Sequence, residues 1–471
     1  MKYKYVVIGA GAAGLVVAIG LAKAKKKVLL IENNLFGGDC TNYGCIPSKT
    51  LIASAKIAHN IKTAKDFGIN FKIDEFDATL ALKRVKDVIE KIRSHEDETS
   101  LQKIGVDTIK AKASFQSENS LKLVFEDGKE DFVEFTKAII ASGSSPLIPP
   151  IENLDITPFD TNETIFNLDK IPKSLTIIGA GAIGCEIGQA FQRLGSKVTL
   201  IDMSPRLLVN EDFDASKILK KIFEKEDLSL YLNSSVNSVK YQNDTFEILI
   251  KNNENGYVNQ IKSERLLIAT GRALNVGELN LENAAISYTN KGILIDSFAK
   301  TNKKHIFAIG DITGEPFFTH KAENMARAVL FSLLVPILKK KITSKQMPRV
   351  TFTEPEIASI GLAEDQAIKK YSQKKIAVYF VSFEDLDRAI CENEKDGFVK
   401  IITLKWTSEI IGATIIAKRA GEMIAEILLA MKKHIKLSSI SNIIHPYPTY
   451  NLAIRKAADK YLTETIFKRK K

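Results

Sequence analysis

Two cysteines, Cys40 and Cys45, stand five residues apart in the segment from Gly37 to Lys49. Thiols at this spacing can belong to a zinc site, a structural pair or a redox-active disulfide. Zinc is disfavoured because no second Cys or Cys/His pair stands at ligand spacing. In a regular helix, residues five apart lie about 8 to 9 Å apart between Cα atoms, beyond the disulfide reach of about 7 Å. Gly44 can adopt unusual dihedral angles that bring the two sulfur atoms together, so the disulfide is favoured.

A glycine fingerprint precedes this cysteine pair. Gly9, Gly11 and Gly14 follow the apolar run Tyr5–Ile8 and open a helix-like stretch that extends to Lys25, and the next strand-like run ends at Glu32. In such a unit the first glycine allows a tight turn, the second lets a pyrophosphate approach the backbone, and the third lets helix and strand pack closely. The acidic residue is placed to bind ribose hydroxyls. We interpret this segment as a dinucleotide-binding unit.

The same pattern occurs a second time. Leu175–Ile178 is followed by Gly179, Gly181 and Gly184, then by a helix-like stretch and a strand-like run that ends before Asp202. One fingerprint alone is a weak signal, but two copies between strand and helix strongly indicate dinucleotide binding. A disulfide beside such a site is an arrangement that stores two electrons.

Composition limits the class of protein. The chain has 471 residues and only four cysteines, which excludes a disulfide-stapled secreted scaffold. The net charge of +11 permits an anionic partner, but no nucleic-acid motif is found, and lysine clusters such as Lys25–Lys27, Lys339–Lys341 and Lys468–Lys471 are typical of solvated surface. Tyr5–Ala22 mimics a secretory signal but contains the fingerprint, and Ala328–Leu338 is too short to span a bilayer. We expect a cytoplasmic protein that binds neither nucleic acid nor membrane.

The repeat also predicts the organisation of the chain. Two further strand-plus-glycine segments, Ile139–Gly143 and Leu267–Gly271, are the expected crossing points between the nucleotide domains. From about Lys345, strands (Phe398–Thr403 and Ile410–Ala417) alternate with amphipathic helices (Gly421–Lys432), and no fingerprint occurs. The predicted fold is α/β, with two Rossmann-like domains and a C-terminal α+β domain. The expected segments are a first nucleotide domain at 1–149, a second at 150–271, a return to the first at 272–344, and the C-terminal domain at 345–471.

The run from Gly37 to Lys49, Gly-Gly-Asp-Cys-Thr-Asn-Tyr-Gly-Cys-Ile-Pro-Ser-Lys, resembles the redox-active motif of the FAD-dependent pyridine nucleotide-disulfide oxidoreductases. This family includes dihydrolipoamide dehydrogenase, glutathione reductase and mercuric reductase. The resemblance covers nearly the whole chain and implies a homodimer whose C-terminal domain forms the dimer contact. The positions it assigns to FAD are Gly9, Gly11, Gly14, Glu32, Gly38, Lys49, Ala113, Gly143, Asp311, Thr319 and His320. The positions it assigns to the nicotinamide cofactor are Gly179, Gly181, Gly184, Glu186, Asp202, Val236 and Gly271.

The resemblance implies a mechanism in two halves. Electrons pass from NAD(P)H through FAD to the disulfide, with Cys45 against the flavin ring, and Cys40 then attacks the substrate. Lys49 and Glu186 match the family's ion pair near the reactive edge of the flavin. Without the motif match, two charges so far apart in sequence would be interpreted as unrelated surface groups.

Cofactor choice depends on Asp202. A carboxylate there accepts hydrogen bonds from both ribose hydroxyls and repels a 2′-phosphate, so NAD(H) is favoured over NADP(H). Arg206, four residues later, is the competing signal for NADP(H), although a solvated loop arginine is the preferred interpretation.

The segment from Ile444 to Leu452 departs from the family's best-known members. In the family it reaches the partner subunit's disulfide, with a His before Pro-Thr and a Glu five residues after that His. This chain has Tyr447 and Leu452 there. A tyrosine titrates near pH 10 and is a poor base, although it can donate a proton. His445 is the alternative base, and a loop histidine packed on Pro446 is an equally weighted interpretation.

A tyrosine at position 447 resembles the corresponding position of mercuric reductase, but the C-terminal cysteine pair of that enzyme is missing here. We therefore expect an FAD-dependent NAD(P)H:disulfide oxidoreductase that acts on a small-molecule thiol, disulfide or metal-ion substrate and has no resident metal. Dihydrolipoyl dehydrogenase is the alternative enzyme, and a flavin-containing redox sensor with little turnover is the alternative of another class. Cys185 and Cys391 are expected to be buried structural thiols.

Overall fold

The computed structural model describes residues 1–70, 72, 76–338, 340–343 and 346–467. The predicted lysine cluster at 468–471, Lys339 and the predicted start of the C-terminal domain at 345 lie outside these residues. Within the described part of the chain, no helix combines the length and apolarity needed to cross a bilayer.

The first sheet is buried at its centre and partly exposed towards its edges. Its strands are β1 (Lys2–Ile8), β2 (Val28–Glu32), β3 (Asp107–Lys110), β4 (Lys112–Ser117), β5 (Ser120–Val124) and β6 (Glu130–Ile140). The order is β3-β2-β1-β6-β5-β4, parallel from β3 to β6 and antiparallel from β6 to β4. Its helices are α1 (Ala12–Lys23), α2 (Gly38–Asn42), α3 (Cys45–Thr63), α4 (Thr79–Arg93) and α5 (Glu98–Lys103).

The second nucleotide unit repeats this architecture on a smaller scale. Its elements are β7 (Ser144–Pro146), β8 (Ser174–Ile178), α6 (Ala182–Arg193), β9 (Lys197–Ile201), α7 (Phe213–Lys225), β10 (Ser229–Tyr231), β11 (Ser234–Gln242), β12 (Thr245–Asn252), β13 (Val258–Ser263), β14 (Arg265–Ile268) and β15 (Arg272–Leu274). Strands β10-β9-β8-β14 form a parallel sheet, and β11-β12-β13 form an antiparallel one. Strands β7 and β15, which follow the two predicted crossing points, pair with each other.

The chain then returns to the first sheet. The returning elements are β16 (Tyr288–Thr289), β17 (Gly292–Ile293), β18 (Ile306–Ala308) and α8 (Thr319–Leu334). Strand β18 pairs in parallel with β6. Short 3-10 segments lie at Ala64–Phe67, Leu154–Ile156, Ile165–Asn167, Gly277–Leu279, Leu281–Ala284, Gly310–Thr313, Gln373–Lys375 and Phe383–Asp385.

The C-terminal unit is an antiparallel sheet with helices. Its elements are β19 (Arg349–Thr351), β20 (Glu356–Gly361), α9 (Glu364–Tyr371), β21 (Ile376–Ser382), α10 (Asp387–Cys391), β22 (Phe398–Leu404), β23 (Ile410–Ala417), α11 (Ala420–Lys432), α12 (Leu437–Ile440), α13 (Leu452–Lys460) and a π-helical turn Tyr461–Ile466. The strand order is β19-β20-β23-β22-β21. One face buries apolar side chains against α11 to α13, while Ile357, Phe398 and Ile416 pack into the core of the second nucleotide unit. The predicted α/β fold class is confirmed.

Candidate active site

The first fingerprint brings backbones together in a way that only glycine allows. Gly9 has φ +102°, and a Cβ atom there would lie 2.4 Å from the carbonyl oxygen of Ala141. A Cβ atom on Gly14 would lie 1.9 Å from the carbonyl oxygen of Gly9. Gly38 faces Gly11 so closely that its Cβ atom would lie 2.5 Å from the Gly11 Cα atom. The glycines therefore set the distance between α1, β6 and the start of α2.

The second fingerprint repeats these contacts. Gly179 has φ +113°, and its Cβ atom would lie 2.3 Å from the carbonyl oxygen of Ala269; a Cβ atom on Gly184 would lie 1.9 Å from the carbonyl oxygen of Gly179. A Cβ atom on Gly181 would meet no atom within 4 Å. The space beside Gly181 is thus open for a ligand that approaches the backbone.

The acidic residue at the end of the second strand takes the same position in both units. Glu32 Oε2 accepts a hydrogen bond from the Ala10 amide at 2.7 Å, and Asp202 Oδ2 accepts one from the Ala180 amide at 2.6 Å. Each carboxylate is therefore held beside the glycine turn of its own unit, where the predicted ribose would lie.

The helices after both turns are open at their N-termini. No side chain caps α1 or α6, and neither first turn contains an acidic residue. Unpaired amides and the positive end of the helix dipole favour a pyrophosphate at each position. The described residues therefore fit FAD at α1 and a nicotinamide dinucleotide at α6.

The two cysteines lie on either side of a helix break. Cys40 is in α2, and Cys45 begins α3, because Gly44 takes φ −115° and ψ −103°, which is not helical. A Cβ atom on Gly44 would lie 3.0 Å from Asp39 Oδ2 and 3.1 Å from the Asp39 carbonyl oxygen. Both cysteines are partly buried, and their thiols hydrogen-bond to each other.

The two sulfur atoms are electrostatically unequal. The hydrogen bond from Cys40 and the nearby Lys49 ammonium, together with Thr319, lower the pKa of the Cys45 thiol to about 6, against the opposing effect of burial. The hydrogen bond to Cys45, followed by burial, raises the pKa of Cys40 well above its usual range. These effects favour a thiolate at Cys45 and a protonated thiol at Cys40 at neutral pH.

Lys49 and Glu186, 137 positions apart, form an ion pair with 2.7 Å between Nζ and Oε2. The Glu186 side chain is 6% exposed, and its Oε1 accepts a hydrogen bond from the Phe352 amide at 2.8 Å. Lys49 Nζ also lies 4.4 Å from the centroid of the Phe352 ring. Nothing in the sequence pattern pointed to Phe352, because it has no motif and comes from the C-terminal unit.

Asp311 and Gly143, two further positions assigned to FAD, lie near the end of β6. Asp311 Oδ2 accepts a hydrogen bond from Ser144 Oγ at 2.7 Å, and burial raises the pKa of the Asp311 carboxyl group. Gly143 has φ +71° and open space where its Cβ atom would be. Thr319 begins α8, whereas the His320 ring turns to the carbonyl oxygen of Pro348, 2.9 Å from Nε2.

Three further assigned positions lie in or beside strands. Ala113 is in β4 opposite Leu123, and Val236 is in β11 opposite Ile250. Gly271, with φ +139°, stands immediately before β15.

The C-terminal segment contains two separate polar pairs. Tyr447 is 72% exposed and donates a hydrogen bond to Asp387 Oδ2 at 2.8 Å. His445 is turned inward: its Nε2 lies 2.9 Å from Glu426 Oε1, and its Nδ1 lies 3.1 Å from the carbonyl oxygen of Ile443. Sequence reasoning missed Glu426, which comes from α11. Neither His445 nor Tyr447 bonds to Cys40 or Cys45 in the described part of one chain.

The other two cysteines differ from each other. Cys185 is buried and its thiol bonds to the carbonyl oxygen of Ala180 at 3.3 Å, as expected of a structural thiol. The expectation that Cys391 is buried was wrong. Cys391 is exposed because it ends the short surface helix α10.

Comparison with known proteins agrees with the two nucleotide units and the cysteine pair described above. The family model of the pyridine nucleotide-disulphide oxidoreductases matches residues 3–326, and that of their dimerisation domain matches residues 347–458. The chain is 32% identical to a mercuric reductase of Bacillus cereus, over 95% of this chain and 69% of that protein. It is 31% identical to dihydrolipoyl dehydrogenase 3 of Haloarcula marismortui, over 98% of this chain and 97% of that protein.

A solved structure is also similar. It is the Cu(II) complex of the HOCl-induced flavoprotein disulfide reductase RclA from Escherichia coli, with a TM-score of 0.87 and 27% identity. The match covers 98% of this chain and 99% of that chain.

Proposed function

The chain belongs to the pyridine nucleotide-disulphide oxidoreductase family, and on that premise we propose that it moves two electrons from NADH through FAD to Cys40 and Cys45, and on to a small-molecule acceptor. The observation that carries this proposal is the Cys45 thiol. It is held by Cys40, Lys49 and Thr319 in an environment that lowers its pKa to about 6.

The residues of the chain have separable tasks. Bound FAD supplies the electron transfer between the nicotinamide and the cysteine pair. The α1 N-terminus, Glu32 and Asp311 would hold it. Cys40 attacks a substrate disulfide while its thiol proton passes to the Cys45 sulfur, and the step forms a mixed disulfide and releases one substrate thiolate, which takes the proton from Cys45. The Cys45 thiolate then attacks the Cys40 sulfur, releases the second thiolate and restores the Cys40–Cys45 disulfide.

The preference for NADH is supported by the surroundings of Asp202. Its carboxylate is fixed by the amides of Ala180 and Ser204, so a 2′-phosphate would meet a negative charge. Arg206, the competing signal, is already used: its guanidinium donates to the carbonyl oxygens of Leu208, Val209 and Glu211 and to Ser216 Oγ. It is therefore a loop anchor and not a free phosphate ligand.

A homodimer is proposed because the matched dimerisation domain leaves apolar side chains uncovered. The exposed side chains in and near the C-terminal segment are those of Ile390, Leu429, Ile443, Ile444 and Tyr447, and Ile444 is 92% exposed. Tyr447 would then act as a proton donor or polar contact towards the partner's substrate, because Asp387 raises the pKa of its hydroxyl group.

The proposal is tested by reduction with NADH followed by a substrate screen. Two-electron reduction should give a long-wavelength charge-transfer band that disappears in Cys45→Ser, and a variant that keeps the band would overturn the assignment. NADH oxidation is then measured with disulfides, quinones, oxygen and mercuric ion, and NAD reduction with dihydrolipoamide. Rapid dihydrolipoamide turnover would favour dihydrolipoyl dehydrogenase, which the 31% identical relative supports, and failure of all acceptors would favour a redox sensor.

A further inference from the structure

A largely buried arginine links the cysteine turn to the flavin side of the site. Arg272 is the first residue of β15, and its side chain is 11% exposed. Its Nε donates to Ser144 Oγ at 2.7 Å, and its Nη2 donates to the Ser144 carbonyl oxygen at 2.7 Å. The same Nη2 lies 3.2 Å from Oδ1 of Asp39, the residue before Cys40. One guanidinium therefore contacts both a crossing strand and the cysteine turn.

The connection continues towards the predicted flavin. Ser144 is buried, and its hydroxyl donates to Asp311 Oδ2 at 2.7 Å while it accepts from Arg272. Asp311 is the carboxylate assigned above to FAD. Three contacts thus join Asp39 to Asp311, two residues that are 272 positions apart in the sequence.

The Asp39 carboxylate also contacts the residues of the turn between the two cysteines. Asn162 Nδ2 donates to Asp39 Oδ1 at 3.1 Å and to the Tyr43 carbonyl oxygen at 3.3 Å. Asp39 Oδ2 and the Asp39 carbonyl oxygen face Gly44. Asn162 therefore ties the Asp39 carboxylate to the Tyr43 backbone, across the short segment that contains Cys40.

Arg272 also offsets the negative charge of the carboxylates around it. The guanidinium lowers the pKa values of Asp311 and Glu163, whereas burial and the Asp39 carboxylate raise both. Without the cation, three acidic side chains would repel one another in a partly buried space. The Asp39–Arg272 pair consequently keeps the cysteine turn close to the carboxylate of the flavin site.

We propose that Asp39 and Arg272 are positioning residues, which act through Cys40 and Asp311 by holding the cysteine turn in a fixed place relative to the bound flavin. This inference rests on the proposed function. The inference extends the proposed function because it assigns a task to the Asp39–Arg272 ion pair. This pair is separate from the cysteines, from the Lys49–Glu186 pair and from the glycine fingerprints.

The test compares Asp39→Ala with Asp39→Asn in the full-length protein. Asp39→Ala should weaken the charge-transfer band of the NADH-reduced protein by at least about threefold, because the released turn moves the thiolate away from the flavin. Asp39→Asn keeps an oxygen that accepts from Arg272 and Asn162, so it should retain most of the band. Asp169→Ala, which removes an exposed partner of Lys86, is the matched control and should leave the band unchanged.

A second readout does not need the cofactor. In protein freed of FAD, the alkylation rate of Cys40, followed by mass spectrometry, should rise at least about threefold in Asp39→Ala and stay near the wild-type rate in Asp39→Asn. Equal bands and equal alkylation rates in wild type and Asp39→Ala would overturn the inference. A wild-type protein with no band at all would instead overturn the proposed function, and the alkylation rates would still decide the role of Asp39.

Discussion

The Sγ atom of Cys45 lies 3.7 Å from Oγ1 of Thr319, the first residue of α8. Because Thr319 begins α8, the positive end of the helix dipole lies on the side of the sulfur. No side chain caps this helix, so its first amides are unpaired. The ammonium group of Lys49 adds a full positive charge. A thiolate at Cys45 is therefore stabilised from two segments, α3 and α8, that come from opposite ends of the first nucleotide unit.

The first prediction is a pH dependence. The pKa of Cys45, about 6, is below the ordinary value of 9.0, so the thiolate form stabilises the folded reduced protein fully above pH 9. This contribution falls as the pH drops towards 6 and is lost below it. The charge-transfer band of the reduced protein should be half lost near pH 6 when the pH is lowered. A midpoint near 9 would contradict the assignment of Cys45 as the thiolate.

The second prediction separates the members of the Lys49–Glu186 pair. Lys49 lowers and Glu186 raises the pKa of the Cys45 thiol. Lys49→Met should therefore move the midpoint of the band to higher pH by about one unit, and Glu186→Gln should move it to lower pH by a smaller amount. Lys56→Met is the matched control, because Lys56 is on the same helix but pairs with Glu354. Shifts of the same sign in both variants would contradict the electrostatic explanation.

The local parts of the fold were predictable from the sequence. The first and third positions of each fingerprint demand glycine because a Cβ atom there would collide with a carbonyl oxygen, and the spacing of these glycines identified both turns. The predicted strand Ile410–Ala417 is found with the same bounds, and the helix predicted from Gly421 to Lys432 begins one residue earlier. The first helix was predicted to extend to Lys25 but ends at Lys23, because Lys25 takes a positive φ of 56°.

The long-range parts of the site were not predictable from local pattern. Lys49 and Glu186 were paired only through the family resemblance, since 137 positions separate them. Arg272, Ser144 and Glu426 carry no motif at all. They enter the site because two crossing strands pair and because α11 packs beside the C-terminal segment, and neither contact leaves a periodic signal in the sequence.

The third prediction concerns cofactor choice. The wild-type protein should have a kcat/KM for NADH at least about tenfold above that for NADPH, because Asp202 repels the 2′-phosphate. Asp202→Ser should reduce this ratio towards unity. Arg206→Ala should lower thermal stability without reversing the ratio, since the guanidinium binds loop carbonyl oxygens. A higher kcat/KM for NADPH than for NADH in the wild-type protein would contradict this interpretation, and so would loss of NADPH use in Arg206→Ala.

The fourth prediction distinguishes Tyr447 from His445. Tyr447→Phe removes the exposed hydroxyl that bonds to Asp387, and it should lower kcat/KM for the acceptor by about tenfold while reduction by NADH keeps its rate. His445→Gln keeps a polar group beside Glu426 and should have a smaller effect, because the ring is turned inward and both of its nitrogen atoms face acceptors. A larger loss in His445→Gln than in Tyr447→Phe would identify His445 as the acid-base group. Stopped-flow measurement of the two half-reactions makes the comparison.

The last prediction concerns the contact between the second nucleotide unit and the C-terminal unit. Lys400 of β22 is 3% exposed and lies 2.9 Å from Asp212, 2.6 Å from Asp214 and 3.0 Å from Glu364. Burial opposes the charge, but these hydrogen bonds raise the pKa of Lys400. Lys400→Met leaves Asp212 buried without a cation and should lower the free energy of unfolding by about 3 to 5 kcal/mol. Lys221→Met, which removes an exposed partner of Asp396, should cost less than about 1 kcal/mol in the same denaturant titration, and equal losses would show that the buried cluster has no special role.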